Sequence, residues 1–338
     1  TETLKNAIET QRIAHAYLFV GPRGIGKTSV ARILAKALNC AKGPTPTPCG
    51  KCDSCREITA GNSLDVLEID GASNNGVEQV RDLRDTVKYA PTRGKFKIYI
   101  IDEVHMLSNA AFNALLKTLE EPPPHVKFIF ATTEPQKVLP TIVSRCQRFD
   151  LRRISVPAIV ERLRLVADSE KVTISEDALI AVARGAEGGL RDAESALDQL
   201  ISFKGNKIEE SDVLSVFGLV SRRLLEQAAH RILEGDIKGI IHAVAEIDDA
   251  GKDLSRFTVE VMEHFRNLLI CMYVDDAAKA LELTENQVDA LKKQAAMTHT
   301  ENVLRMIGIL SETEERMRFA LSRRTLLETA LIRCARSA

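Results

Sequence analysis

Gly21-Pro22-Arg23-Gly24-Ile25-Gly26-Lys27-Thr28 has the spacing G-x-x-x-x-G-K-[ST]. It lies between the apolar run Tyr17-Leu18-Phe19-Val20 and a segment in which Val30, Ile33 and Leu34 recur at helical spacing. Strand, glycine-rich turn and helix in that order make an anion site: glycines let the backbone approach a phosphate, N–H groups at the helix start are unpaired, and the helix dipole favours negative charge. Lys27 is expected to reach the β and γ phosphates of a nucleoside triphosphate and Thr28 to bind Mg²⁺. Gly21, Gly24 and Gly26, with Ser29 on the first helical turn, complete the expected nucleotide contacts.

Further along, Ile98-Tyr99-Ile100-Ile101-Asp102-Glu103 has the pattern of a buried strand ending in two acids. Asp102 can hold the metal and Glu103 can polarise an attacking water. The runs Ala16 to Val20, Val66 to Ile69, Lys97 to Ile101 and Val126 to Ala131 alternate with helix-like stretches, which predicts a parallel sheet with helices on both faces. The 11 prolines all occur at or before Pro157, and from there the pattern is helical throughout. Ile159, Leu163 and Val166 follow the start signals Ser155 and Pro157, Ser175 precedes a helix over 176–184, and Gly188-Gly189 precedes one over 190–201. These form a small three-helix unit. From about Val216 longer amphipathic segments follow, with Ser311-Glu312-Thr313-Glu314 as a capping-box start before Met317, Leu321 and Leu327.

Length and composition bound the rest. A chain of 338 residues predicts two to three domains. Its 45% apolar and 28% charged residues fit a globular protein, and apolar runs such as Leu268 to Val274 fall far short of the roughly 18 residues that span a bilayer. A membrane role is therefore excluded at this stage. Lys and Arg number 46 against 47 acids, so any nucleic-acid contact must come from a local basic surface. Seven cysteines are too few for a disulfide framework, which favours a reducing cytosol. Four of them, Cys40-x8-Cys49-x2-Cys52-x2-Cys55, have metal-ligand spacing among flexible glycines and prolines. Zinc in a closed structural site fits best, against a redox C-x-x-C pair or an iron–sulfur cluster. Cys146, Cys271 and Cys334 are isolated and are expected to be buried small apolar residues.

Taken together, the chain resembles the γ/τ family of bacterial DNA polymerase III clamp-loader subunits, within the AAA+ ATPases. The resemblance rests on His15-Ala16-Tyr17-Leu18-Phe19, the phosphate loop, the cysteine insertion and Tyr89-Ala90-Pro91. It also rests on Ile101-Asp102-Glu103-Val104-His105-Met106-Leu107, the run from Asn113 to Pro122, Ala131-Thr132-Thr133-Glu134-Pro135-Gln136-Lys137, and Ser144-Arg145-Cys146. It implies an AAA+ core over 1–151 with a zinc-binding insertion at 40–55, a three-helix lid over 152–215, and an all-α collar over 216–338 through which subunits associate. Arg145 is implied as an arginine finger acting on a neighbouring subunit's nucleotide, Thr133 as sensor 1 and Arg191, in Gly189-Leu190-Arg191-Asp192, as sensor 2. Lys117 and Thr141 match positions that face DNA, whereas Ser73-Asn74-Asn75-Gly76 is neutral where some relatives are basic.

The implied function is ATP hydrolysis that loads a sliding clamp onto primer-template DNA, in the bacterial cytoplasm and together with delta, delta-prime and further gamma/tau subunits. The implied cofactors are ATP, Mg²⁺ and structural Zn²⁺. The competing readings are a non-hydrolysing delta-prime-like scaffold, against which intact Lys27, Thr28, Asp102 and Glu103 argue, and a small-molecule kinase, which leaves Arg145 and the cysteines unexplained. A related AAA+ helicase motor would not carry the cysteine module, and nothing resembles a polymerase's paired-metal site. Relatives are expected to have a further N-terminal stretch around the adenine base, so this chain should have a complete phosphate site, an incomplete base pocket and weak ATP binding.

Overall fold

β1 (Ala16–Val20) and β4 (Val126–Thr132) are buried at every position, as strands covered on both faces must be. The computed structural model describes residues 2–73, 86–216, 220–281, 283 and 285–336. β2 (Val66–Asp70), β3 (Lys97–Asp102) and β5 (Gln147–Asp150) join β1 and β4 in one parallel sheet of order β2-β3-β4-β1-β5. Side chains alternate across it. Leu18, Tyr99, Ile101, Phe128 and Phe130 pack with Phe112, Leu115 and Leu119 of α4 (Asn109–Glu120). Tyr17, Phe19, Ile98, Ile100 and Ile129 pack with Leu34, Ala35 and Leu38 of α2 (Lys27–Asn39), and α1 (Glu2–Glu9) and α3 (Asp53–Ala60) add Ile8 and Ile58. The expected helices on both faces are present, and the two apolar layers are what hold the sheet.

Register decides where the strand ends emerge. Val20 pairs with Thr132, and Ile101 with Phe130. The C-terminal ends of β1, β3 and β4 therefore lie side by side, at the end of an open parallel sheet where such folds bind ligands. β5, whose sequence Gln-Arg-Phe-Asp has the alternating pattern of a half-buried strand, borders β1 on the other side. α5 (Pro140–Val143) precedes it.

Between β2 and β3 the chain is stapled by one carboxylate. Asp65 accepts backbone N–H bonds from Thr92 (2.6 Å), Arg93 (2.8 Å) and Gly94 (2.6 Å), and the residue is only 5% exposed. Burial alone would raise its pKa, but these three donors outweigh it and hold the carboxyl below the usual Asp range. Because the folded value is depressed, its stabilisation is complete above the unfolded carboxylate's pKa and is lost as pH falls through the folded one. Asp65→Ala should cost about 3 kcal/mol at neutral pH by orphaning the donors. Denaturant titrations should show the gap from the unmodified chain narrowing below about pH 4.

The described chain divides into two compact units, Thr1–Leu165 with Ala186–Leu197, and Val166–Gly185 with Asp198–Ala338. The three expected helices after Pro157 are present as α6 (Val156–Glu170), α7 (Glu176–Gly185) and α8 (Leu190–Lys204), and Ser175 caps α7 by accepting from the Ala178 N–H at 3.2 Å. Two expectations for this part need correction, the all-helical pattern and the helix start at Ser311. β6 (Thr173–Ile174) and β7 (Lys207–Ile208) pair in parallel, and they are too short to leave a periodic signal. Ser311 to Glu314 lie inside a helix rather than at its start, since the preceding residues keep the apolar spacing through Val303, Met306 and Leu310. α9 (Glu210–Val216) follows β7.

Then come α10 (Arg222–Glu234), α11 (Ile237–Asp249), α12 (Leu254–Tyr273), α13 (Ala277–Leu281), α14 (Glu285–Ala295), α15 (Thr300–Met317) and α16 (Arg323–Ala335). Phe257, Val261, Phe265 and Leu268 of α12 form the centre of their core, against Met306 and Leu310 of α15 and Leu327 and Leu331 of α16. Side-chain caps at Ser221, Asp236, Asp253 and Ser322 start α10, α11, α12 and α16. Cys334 is buried as expected, while Cys146 and Cys271 are only partly so.

Candidate functional site

The phosphate loop leaves β1 at Val20 and enters α2 at Lys27, with Gly26 in the left-handed region at φ 92° as the N-cap. Gly24 (φ +76°) is constrained twice over, because a Cβ there would lie 2.8 Å from Asp192 Oδ2 and 3.1 Å from Gly189 Cα. Lys27 is 6% exposed, and its Nζ donates to the carbonyls of Gly21 (3.0 Å) and Pro22 (2.9 Å). Burial pulls its ammonium below the ordinary lysine range, against the opposing attraction of Glu103 and Asp102. Ser29 is exposed on the first turn of α2.

β3 delivers the acid pair to the same place. Thr28 Oγ1 donates to Asp102 Oδ2, and Asp102 Oδ1 accepts from the Glu103 N–H at 2.9 Å. Glu103 itself has φ 43°, a strained backbone for a residue with a Cβ. Its Oε2 accepts from Thr133 N–H (3.3 Å) and Thr133 Oγ1 (3.1 Å), just beyond the end of β4. Lys27, Thr28, Asp102, Glu103 and Thr133 are thus brought together from three strand ends. The hydroxyl and carboxylate oxygens of Thr28 and Asp102 are hard donors suited to Mg²⁺.

The remaining expected residues lie around this cluster. The Arg191 N–H donates to Gly24 O at 3.2 Å, so the start of α8 abuts the phosphate loop, while the Arg191 side chain is exposed. Arg145 is held by Glu120 Oε1 (2.8 Å) and Thr141 O (2.7 Å); among the described residues it pairs with no member of the phosphate loop. Lys117 and Thr141 are exposed. Asn74 to Gly76 lie outside the described residues.

One group in the site has no role in the sequence reading. His105, in the short turn Val104–Met106 after β3, has Nδ1 3.0 Å from Thr132 Oγ1 and 3.4 Å from Glu103 Oε2, and Nε2 3.4 Å from Glu134 Oε1. Glu134 in turn pairs with Lys137 Nζ at 2.8 Å, which holds its carboxyl below the usual range. The only signal was position, two residues beyond the acid pair.

Cys40 caps the C-terminal end of α2, about 20 Å along the helix from Lys27. Its sulfur and those of Cys49, Cys52 and Cys55 lie within 4.8 Å of one another. The Cys49 N–H points at Cys40 Sγ and the Cys52 N–H at Cys49 Sγ, both at 3.4 Å. The Lys51 and Cys52 N–H groups pull the Cys49 thiol down to about 6, whereas burial pushes Cys55 up to about 12. Four convergent sulfurs with N–H groups aimed at two of them suit a thiophilic ion held entirely by protein.

Comparison with known proteins agrees along the whole chain. Residues 1–155 match the family described as DNA polymerase III, delta subunit; 158–206 match the DNA polymerase III clamp loader subunit, ATPase lid domain; and 208–338 match DNA polymerase III subunits gamma and tau domain III. The chain is 43% identical to DNA polymerase III subunit tau of Bacillus subtilis, over 98% of this chain and 59% of the relative. It is 47% identical to subunit tau of Escherichia coli, over 77% of this chain and 40% of the relative. DNA polymerase III subunit gamma of Buchnera aphidicola is 35% identical over 98% of this chain and 90% of its own length. The chain therefore spans about three fifths of the Bacillus relative and less of the Escherichia one.

Proposed function

The chain belongs to the family of DNA polymerase III gamma and tau subunits, and from that premise we propose that it is an ATP-hydrolysing motor subunit of a bacterial clamp loader. Its reaction is ATP and water to ADP and phosphate, coupled to loading a sliding clamp onto primed DNA, and it is not itself a polymerase. The observation that carries this reading is the meeting of Thr28 with Asp102, 74 residues apart in sequence, beside Lys27 and Glu103.

In this reading the backbone of Gly21, Gly24 and Gly26 and the Ser29 position surround the phosphates, Lys27 neutralises them, and Thr28 and Asp102 hold Mg²⁺. The metal, when bound, spreads the developing negative charge. Glu103 orients the attacking water, with Thr133 fixing its carboxylate. Arg191 reports the nucleotide to the lid, a role supported by its backbone bond to the phosphate loop. Arg145 acts on the nucleotide of an adjoining subunit, and Lys117 and Thr141, both exposed, face DNA. Partners are delta, delta-prime and further gamma/tau subunits, the clamp and primer-template DNA. The setting is the cytoplasmic replisome; no described helix is long and apolar enough to cross a membrane. Core, lid and collar divide at 151 and 215, a division supported by the family matches changing near 155–158 and 206–208.

Cys40, Cys49, Cys52 and Cys55 hold structural zinc, which braces the far end of the helix that begins at Lys27. Cys52→Ser should abolish stoichiometric zinc in metal analysis and lower the calorimetric midpoint by about 5 °C or more, since loss of a metal is among the large destabilising changes. Retention of zinc by that variant would remove Cys52 from the ligand set.

The test of function is steady-state ATP hydrolysis by the protein assembled with its partner clamp-loader subunits, with and without sliding clamp and primed DNA. Strong stimulation by the two together is expected. Absence of hydrolysis in every combination would leave the delta-prime-like scaffold role instead.

A further inference from the structure

Among the described residues the Glu103 carboxylate accepts at Oε2 alone, from Thr133 N–H at 3.3 Å and Thr133 Oγ1 at 3.1 Å, and His105 Nδ1 approaches the same oxygen to 3.4 Å. That leaves the other oxygen to meet a water. The His105 side chain is 6% exposed, so its position is set by packing as well as by polar contacts. Its ring is constrained at both nitrogens. Nδ1 meets Thr132 Oγ1 at 3.0 Å, and that hydroxyl is itself fixed, because it accepts from the Glu134 N–H at 3.0 Å on a residue with no exposed surface. Nε2 faces Glu134 Oε1 at 3.4 Å, and Lys137 Nζ clamps the other oxygen of Glu134 at 2.8 Å.

We propose that His105 is a positioning residue for hydrolysis: it joins the end of β3 to the end of β4 and keeps the Glu103 carboxylate turned toward the attacking water. The physical need is clear from the backbone. Glu103 stands alone in the left-handed region between β3 and the turn that carries His105, so its side chain lacks the support a regular element would provide. Thr133 reaches Oε2 from beyond the end of β4, and His105 Nδ1 lies 3.4 Å from the same oxygen in the turn after β3, so two segments converge on one oxygen and leave the other directed away from them. The imidazole's own orientation comes from Thr132 and the Glu134–Lys137 pair, on the segment leading to α5 and Arg145. The inference rests on Glu103 acting as the water-orienting base, as argued above.

The test uses the assembled clamp loader with clamp and primed DNA. His105→Ala should lower kcat about tenfold, as loss of a supporting contact behind a reacting group commonly does, with KM and the equilibrium affinity for a fluorescent ATP analogue unchanged within about twofold. His105→Asn, whose amide can take the place of Nδ1 beside Thr132 and Glu103, should recover most of that loss. A merely structural histidine would instead lower nucleotide affinity and the thermal midpoint together with kcat, and would not be rescued by Asn; that pattern overturns the proposal. Hydrolysis by His105→Ala equal to the unmodified assembly also overturns it while the ATPase reading stands. An unmodified assembly that hydrolyses nothing overturns both.

Discussion

Glu103→Gln is expected to lower kcat of the assembled clamp loader by about 100-fold or more while nucleotide affinity holds, the magnitude of losing a positioned general base. The amide keeps the size of the carboxylate and an oxygen that can still accept from Thr133, so the geometry around the phosphate loop should survive. What disappears is the negative charge that polarises water, a loss of about 2.7 kcal/mol in transition-state stabilisation for each 100-fold. Lys27→Ala is the contrasting variant. Lys27 lies at the start of α2 with its ammonium directed at the loop, so its removal should weaken binding itself. Equilibrium titration with a fluorescent ATP analogue, run beside single-turnover hydrolysis, separates the two outcomes. If Glu103→Gln lost affinity in parallel with Lys27→Ala, Glu103 would be a structural support of the loop rather than the base.

Which parts of this site could be read from sequence follows from which parts are local. The phosphate loop is a contiguous strand, turn and helix, and β1, β3 and β4 carry mainly apolar runs, buried throughout in β1 and β4 and over the four central residues of β3, so both are written in neighbouring residues. The acid pair is legible for the same reason, since it ends one of those runs. The cysteine module is legible because its four cysteines fall within 16 residues. The antecedents of Arg145, Thr133 and Arg191 are different. Their spacing alone is mute, and only resemblance to a family singles them out.

What stayed hidden is relational. β5 carries Arg148 and Asp150, polar residues on a half-exposed edge, and so lacks the apolar run that marks the central strands. The Asp65 staple joins one carboxylate to three backbone donors 27 to 29 residues away, a separation at which no periodicity operates. His105 illustrates the limit best. Its partners come from the residue after β3, from β4 and from the segment after β4, and only the sheet register that sets β3 beside β4 brings them to one ring. The false start at Ser311 has the opposite cause. A capping-box pattern recurs by composition in an acidic, hydroxyl-rich stretch, and tertiary packing of Met306 and Leu310 carries the helix through it.

Mixing two inactive chains should restore activity if Arg145 serves its neighbour. Arg145→Ala is expected to reduce hydrolysis of the assembly by about 1000-fold, the scale of an arginine that stabilises transition-state charge. In the single chain the guanidinium is engaged by Glu120 and the Thr141 carbonyl, but both side chains are substantially exposed, 33% and 51%. A pair so solvated is worth no more than about 1 kcal/mol, so it can yield to a phosphate at little cost. Lys27→Ala chains lack a nucleotide site but keep the finger; Arg145→Ala chains keep the site but lack the finger. Each assembly made from one kind alone should be inactive. Co-assembled, an Arg145→Ala site that meets the Arg145 of an adjoining Lys27→Ala chain regains every component, and hydrolysis should return to a fraction set by random ordering of the copies. No return of activity, in co-assemblies verified to contain both chains, would mean that Arg145 acts within its own subunit or not on the nucleotide at all.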